Sequence, residues 1–380
     1  MQSKFSTFTT IVVLIMSSFI LFSLQSCGND KIISKASEAI SHRDYKTALN
    51  EILSLSDETI LESDTLSQML STAYYGSTLK PTRDIAVDCY DLDLISKNKQ
   101  VVFTDFHNGS LNFYSFPEMQ FIRSILLPEK AYAIDFSPNE EIFATALVNN
   151  NILIYETSTG KKLKELEGHT NRVRDVVFRD NELLFSCGND QKVAAWDVTS
   201  GEPYWGKHQH SKNIKSLQMS KDRSKMITAS NDGSASLLKA AGDRIGAEEL
   251  RFIHGDNYVN DAAISPNNKY AVTVSGDGYA KIWDAENGCS LHYIFLNDPL
   301  GAVDISDNSK LVLVGGQRNV FIIDADEGKV ICKINVMNKP VWSVRFLDGK
   351  QIAFADNSHF WHTTLLIGKD LITEARKSAQ

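Results

Sequence analysis

Residues 168–197 read GHTNRVRDVVFRDNELLFSCGNDQKVAAWD, and residues 254–284 read HGDNYVNDAAISPNNKYAVTVSGDGYAKIWD. Each stretch opens on a histidine beside a glycine and runs through a short apolar strand to Phe178 or Ile264. A turn, a second apolar strand, a tight turn at an aspartate and a third strand ending in Trp-Asp follow. Short runs rich in Val, Ile, Phe and Ala, bounded by Asn, Asp, Gly and Ser-Pro, predict strands joined by tight turns. A sheet this small cannot bury both faces by itself, so each stretch predicts a unit that stacks against copies of itself.

The same pattern recurs outward in both directions. The last apolar residue of each first strand falls at Ile95, Phe136, Phe178, Met219, Ile264, Ile305 and Phe346, with steps of 41, 42, 41, 45, 41 and 41. Seven copies at that period predict seven blades of a β-propeller, each a four-stranded antiparallel sheet, over residues 81–380.

Ala195-Trp196-Asp197 and Ile282-Trp283-Asp284 close their third strands, Gly168-His169 opens a copy, and Tyr155-Glu156 and Ile323-Asp324 hold the same place in altered form. These residues resemble the signature of WD40 repeats. The expected fold class is all-β, a seven-bladed WD40-type β-propeller preceded by a small α-helical segment. The resemblance implies buried hydrogen-bonded tetrads: His169, Ser186, Asp190 and Trp196 in the third copy, and His254, Thr273, Asp277 and Trp283 in the fifth. His254-Gly255 reverses the usual order, and the fourth copy keeps His210, Thr228 and Asp232 but has Leu238 for the Trp. Such a network fixes a blade, because each buried polar group left unpaired costs about 1–3 kcal/mol. His, Asp and Ser together are the parts of a hydrolase triad. Here they recur copy by copy, whereas an active site occurs once, and no catalytic residue is assigned.

The resemblance also places a partner site. In WD-repeat proteins the positions six and four residues before each marker line the narrow mouth of the ring. Here they are Lys130, Arg172, Asn213, Tyr258, Pro299 and Pro340, then Tyr132, Arg174, Lys215, Asn260, Gly301 and Trp342. Tyr132, Arg172, Arg174, Lys215, Tyr258 and Trp342 are the candidate partner-binding residues, since aromatic side chains and arginine dominate binding hot spots.

Before the repeats, residues 1–26 read as a lipoprotein signal peptide. Lys4 precedes a 12-residue apolar run, Ile11–Phe22, too short for a spanning helix of about 20 residues. Leu24-Gln25-Ser26-Cys27 resembles the bacterial lipobox, which implies cleavage before Cys27 and lipidation of its thiol and new amine. An uncleaved signal anchor is the alternative. The expected location is extracytoplasmic, on a bacterial outer membrane, at its periplasmic or surface face. Residues 27–80 predict a helical hairpin or spacer, with Asp44 as an N-cap and Asp44-Tyr45-x-x-Ala48-Leu49 resembling half of a tetratricopeptide unit.

Composition excludes other classes. With 43% hydrophobic and 23% charged residues the chain packs a core, and a net charge of −8 argues against nucleic acid as partner, which needs a basic surface. No phosphate loop, Gly-x-Ser-x-Gly or His-Glu-x-x-His occurs, so no cofactor and no metal is expected. Cys89, Cys187, Cys289 and Cys332 either form two disulfides or, as their apolar settings favour, stay free. The function expected is a membrane-anchored, non-enzymatic protein-interaction scaffold. The alternatives are a component of an outer-membrane assembly or secretion complex, and a small-ligand or enzymatic propeller using its central channel. Two closures of the ring compete. In one, residues 84–89 pair with the third strand of blade seven, and a C-terminal helix follows with Asp370 as its cap. In the other, Leu365–Thr373 forms the outer strand.

Overall fold

The computed structural model describes residues 29–79, 83–84, 89–206, 210–241, 244–336, 340–347, 351–356 and 359–379. They divide into two compact units, one comprising Met1–Leu79 with Leu366–Gln380, the other Lys80–Leu365. Cys27 and the rest of the leader lie outside the described residues.

The first unit is helical: α1 (29–41), α2 (Tyr45–Leu53), α3 (Asp57–Glu62), α4 (Asp64–Thr78) and α5 (Gly368–Ala379). Asp44 caps α2 by accepting the Thr47 N–H at 3.2 Å, and Ser56 and Ser63 cap α3 and α4 in the same way, each satisfying an amide that helix geometry leaves unpaired. Tyr45 lies so close to Gly76 that an added Cβ there would sit 2.6 Å from its ring.

The C-terminal helix departs from expectation in two ways. It starts at Gly368, so Asp370 sits within its first turn and is not its cap. It also belongs to the helical unit and not to the propeller. Its Leu371, Ile372 and Ala375 fill the core that Ala48, Leu49, Ile52 and Ile60 begin, a stripe at helical spacing that needs an apolar partner. Arg376 reinforces this by donating to the Leu53 and Leu55 carbonyls (2.9 and 3.2 Å) and to Asp57 (2.6 Å), placing a cation at the negative end of α2.

The second unit is the seven-bladed propeller. Its innermost strands are Cys89–Ile95, Ala131–Phe136, Val173–Phe178, Ile214–Met219, Val259–Ile264, Leu300–Ile305 and Val341–Phe346. Each begins a four-stranded antiparallel sheet. Apolar clusters straddle neighbouring blades: Leu111 and Phe113 of blade one pack with Ile134 and Phe143 of blade two, and Ala144 and Ile154 of blade two with Val173, Phe178 and Trp196 of blade three. Stacking thus supplies the core that one blade lacks.

The ring closes with a strand from its N-terminal side: Arg83 pairs with Phe360 and Asp84 with His359, as the outer strand of blade seven. The competing closure fails, because the chain is helical where it required a strand. Residues 85–88 of the expected closing run lie outside the described residues. Cys89 does not belong to that run. It is fully buried opposite Asp105 in the innermost strand of blade one, among Leu92, Phe103 and Phe360. Cys89 and Cys187 are free and buried, Cys332 is buried, and Cys289 is free and exposed.

Candidate partner-binding mouth and channel

Every innermost strand slips register against its neighbour at one end. The shifts fall between Ala131/Ala133, Val173/Asp175, Ile214/Ser216, Val259/Asp261, Leu300/Ala302 and Val341/Ser343, and in blade one between Cys89/Leu92. A bulge re-aims the side chain that it frees from the ladder. The freed residues are Tyr132, Arg174, Lys215, Asn260, Gly301 and Trp342, with Tyr90 at the wider slip of blade one, and all of them line a single cavity of about 590 Å³. Of the six candidate partner-binding residues, the structure brings together Tyr132, Arg174, Lys215 and Trp342. Arg172 and Tyr258 stand apart, exposed in the loops leading into their blades.

The mouth has an aromatic side and a cationic side. Tyr90 stacks on Trp342 (centroids 6.1 Å apart, planes 12° apart) and meets Tyr132 edge-on at 5.4 Å, with Phe106 4.7 Å away. Trp342 is 38% exposed. Gly301 gives its ring room, since a Cβ there would press within 3.3 Å of the indole. On the other side the Arg174 guanidinium lies 3.9 Å over Tyr132, a favourable cation–π distance. Lys215 follows in the next blade, its pKa lowered first by burial and then by Arg174.

Tyr90 and Phe106 escaped the sequence reading. The slip in blade one spans an extra residue, so counting back four from Ile95 reaches Asp91 in place of Tyr90.

Beneath the mouth, acceptors on the innermost strands bind the next blade. Asp91 accepts the N–H of Ile134 (3.1 Å), Asp93 that of Phe136 (3.3 Å), Asp135 that of Phe178 (2.6 Å) and Asp175 that of Leu217 (2.8 Å). Gln218 serves Ile264 (3.3 Å), Asp261 serves Val303 (2.9 Å) and Asp304 serves Phe346 (2.7 Å). At the closing junction the polarity reverses, as Arg345 of blade seven donates to Asp91 at 3.3 Å. A buried hydrogen bond contributes about 0.5–1.5 kcal/mol net, so these seven acceptors staple the ring. Enclosure raises the pKa of Asp93 and Asp261 to about 6 and those of Asp135 and Asp175 well above the carboxylate range. Burial alone would lower the pKa of Arg345; Asp91, Asp304, Asp93 and Asp261 outweigh it and hold the guanidinium charged.

The third-blade tetrad is complete. His169 Nδ1 meets Asp190 at 2.8 Å, its Nε2 meets Ser186 Oγ at 2.7 Å, and Trp196 Nε1 donates to the same Oγ at 2.7 Å. The fourth blade makes the equivalent contacts from His210 to Asp232 (3.0 Å) and Thr228 (2.8 Å), with Leu238 buried in the Trp position. The fifth is a correction. His254 Nδ1 meets Thr273 at 2.7 Å and Trp283 donates to Thr273 at 2.9 Å, but Asp277 stands 3.6 Å from His254 Nε2, which has no hydrogen-bond partner. The histidine precedes its glycine here, so the ring enters with the opposite edge leading. Blade seven, where no tetrad was expected, joins Asp356 to His359 N–H (2.8 Å) and Trp361 Nε1 (3.2 Å) within one hairpin.

Among the described residues no cluster of His, Cys, Asp or Glu could hold a metal ion, and no helix is long and apolar enough to cross a membrane.

Residues 160–197 and 247–284 match the family model for the WD domain, G-beta repeat, the segments that hold the third- and fifth-blade tetrads. The chain is similar to Transcription factor unc-37 of Caenorhabditis elegans (23% identity over 49% of this chain and 30% of that one). It is also similar to Eukaryotic translation initiation factor 3 subunit I of Neosartorya fischeri (24% identity over 52% of this chain and 64% of that one). DDB1- and CUL4-associated factor 10 of Xenopus laevis matches at 24% identity over 27% of this chain and 23% of its own. The chain therefore spans from under a quarter to just under two thirds of these relatives' lengths. The matched segments, the closed third-blade tetrad and the ring together make this chain a seven-bladed β-propeller with WD40 repeats at residues 160–197 and 247–284.

Proposed function

We propose that this protein is a non-enzymatic protein-interaction scaffold that docks its partner at the mouth of the propeller and is tethered to a membrane through Cys27. The observation that carries the docking site is the ring of bulge residues, on which Trp342, Tyr90 and Tyr132 form a partly exposed aromatic surface beside Arg174 and Lys215. Aromatic and arginine side chains in a concave, pre-formed setting are the residues that carry most binding energy in protein interfaces. The channel carboxylates accept backbone N–H groups of neighbouring blades, a structural role and not a catalytic one. Relatives named as a subunit and as an associated factor support a role within protein complexes. The tether rests on Leu24-Gln25-Ser26-Cys27 after its apolar run.

Two measurements test the reading. A photoreactive residue placed at Tyr258, which lies outside the cavity but is exposed two residues before the mouth residue Asn260, should crosslink one protein in stoichiometric amount from detergent-solubilised membranes. The same residue at Tyr293, an exposed outer-strand position of blade five, should not. Adducts at Tyr293 alone would move the site to the rim. Cys27→Ser should abolish palmitate labelling and membrane fractionation, and unchanged labelling would remove the anchor.

A further inference from the structure

The cationic side of the mouth is arranged at a cost. Arg174 and Lys215 occupy adjacent bulge positions, each half-buried, and like charges brought together away from water repel. Among the described residues neither has an ion-pair partner, and the buried Arg174 Nε has no hydrogen-bond partner. The nearest acidic layer does not turn toward them. Asp175 accepts the N–H groups of Leu217 and Val176, and Asp261 those of Val303 and Ala262. No carboxylate counters the effect of Arg174 on Lys215, whose pKa burial and that guanidinium together lower. A pair of cations kept half-buried without a counterion is a site prepared for an anion.

We propose that the mouth takes an acidic segment of a partner protein, with a carboxylate held between Arg174 and Lys215 and a neighbouring apolar side chain on the Trp342–Tyr90 face. This deepens the docking reading and rests on it. A carboxylate suits the site better than a phosphate. The guanidinium fork takes either anion in two parallel hydrogen bonds, but a phosphate of nearly two negative charges meets more repulsion than a single carboxylate from the acids that line the same cavity, Asp91 and Asp261 among them. The overall charge of −8 repels acidic chains elsewhere on the surface, so the mouth would select them by place and not by general attraction.

The test uses the full chain and three short fluorescein-labelled peptides: one of alternating Trp with Asp and Glu, its Asn/Gln twin, and a phosphoserine twin. Fluorescence anisotropy should show the acidic peptide binding and the Asn/Gln twin at least about tenfold weaker. Arg174→Gln and Lys215→Gln should each weaken the acidic peptide by about tenfold, equivalent to about 1.4 kcal/mol. Lys162→Gln, on the outer strand of blade two, should leave it unchanged. Without peptide, Arg174→Gln should melt no lower than the wild type, because it relieves the repulsion. As a measurement free of variants, the acidic peptide should slow acetylation of Lys215 by acetic anhydride, and the Asn/Gln twin should not. Equal binding of both peptides, with Trp342→Ala still disruptive, overturns the acidic assignment and leaves the mouth as the docking site. Binding indifferent to Trp342→Ala as well overturns the docking reading itself. Preference for the phosphoserine peptide, or no binding by any of the three, overturns the carboxylate.

Discussion

Blades three and five each carry a His, a hydroxyl residue, an Asp and a Trp at nearly the same spacing, yet only one of them forms a closed network. In blade three, Asp190 is 2% exposed and within 2.8 Å of His169; in blade five, Asp277 is 20% exposed and 3.6 Å from His254. Two local differences account for this. The reversed His254-Gly255 order presents the other edge of the imidazole. Lys281 stands where blade three has Ala194, and it donates to the His254 carbonyl. Around the blade-three network there is no slack: a Cβ on Gly188 would fall 3.3 Å from His169 Nδ1 and 2.8 Å from the Arg172 carbonyl, whereas Gly276 has nothing closer than 3.7 Å. Residue identity names a network, but the backbone order beside it decides whether the network closes.

The largest effect expected from this contrast is that of Asp190→Ala. Asp190 accepts from His169, from the Thr170 amide at 3.0 Å and from the Lys192 amide. Removing it leaves the buried His169 Nδ1 and two turn amides without their acceptor, costing about 3 kcal/mol or more. Burial raises the pKa of Asp190, but its bonds to His169 and the amides outweigh this and hold it below the usual value. Its stabilisation is therefore present above the unfolded carboxylate pKa and lost as pH falls below it. Thermal unfolding followed by circular dichroism checks this, and an unmoved midpoint would refute a closed tetrad.

Acid should expose the second difference. His254 is 2% exposed, and burial, followed by Lys281, lowers its pKa to about 4. A histidine with a depressed folded pKa takes up its proton in the unfolded state first, so stability falls as pH drops from about 6.5 toward about 4. Between neutral pH and about pH 5 the wild type should lose about 2 kcal/mol that His254→Gln does not lose. The channel acids Asp93 and Asp261, raised to about 6, act with the opposite sign: they stabilise at low pH and lose that contribution as pH rises through about 6. Because both proteins share those acids, the difference between their urea-unfolding curves isolates His254. Parallel curves would mean that His254 is protonated as readily as a free histidine.

What the blades share should respond equally. Both tryptophans donate to the hydroxyl of their second strand, at 2.7 and 2.9 Å, and are 0% and 5% exposed. Trp196→Phe and Trp283→Phe should each cost about 1.5 kcal/mol, the loss of one buried hydrogen bond and some packing. A twofold disparity in denaturation free energy would place the asymmetry in the indole as well as in the acid.

The same reasoning explains how much of the molecule was legible in the sequence. The propeller was, because a 41-residue step repeats a strand pattern that only a ring of blades accommodates. The third-blade tetrad was, because its partners sit within one blade at fixed spacing. The staples were not. Asp135 and Asp175 look like ordinary polar positions on alternating strands, and their partners lie 43 and 42 residues away in the next blade, a relation that exists only after the ring is built. The polar pair of blade six, in which Asn319 donates to Asp298 at 2.8 Å, uses neither the His nor the Trp of a tetrad. Tyr90 was hidden by a single extra bulge residue; the C-terminal helix was expected, but its packing in the helical unit was hidden because its apolar stripe finds its partner almost the whole chain away.

The smallest effect expected is that of Asp277→Ala, and for that reason it discriminates best. If spacing alone made the tetrad, the change would cost as much as Asp190→Ala. The geometry says otherwise: the carboxylate accepts the Tyr279 amide at 2.9 Å, a turn group that water can reach once the side chain is gone, and it makes no hydrogen bond to His254. The expected loss is about 0.5 kcal/mol, the net value of one partly solvated hydrogen bond. The change should also remove a negative charge that now favours the imidazolium, lowering the His254 pKa further and steepening the loss of stability on acidification. A small cost at neutral pH that grows only as pH falls toward about 4, where the wild-type His254 takes up its proton, is thus the signature of an open network. A loss near that of Asp190→Ala, constant across the same pH range, would show that Asp277 closes on His254 in solution.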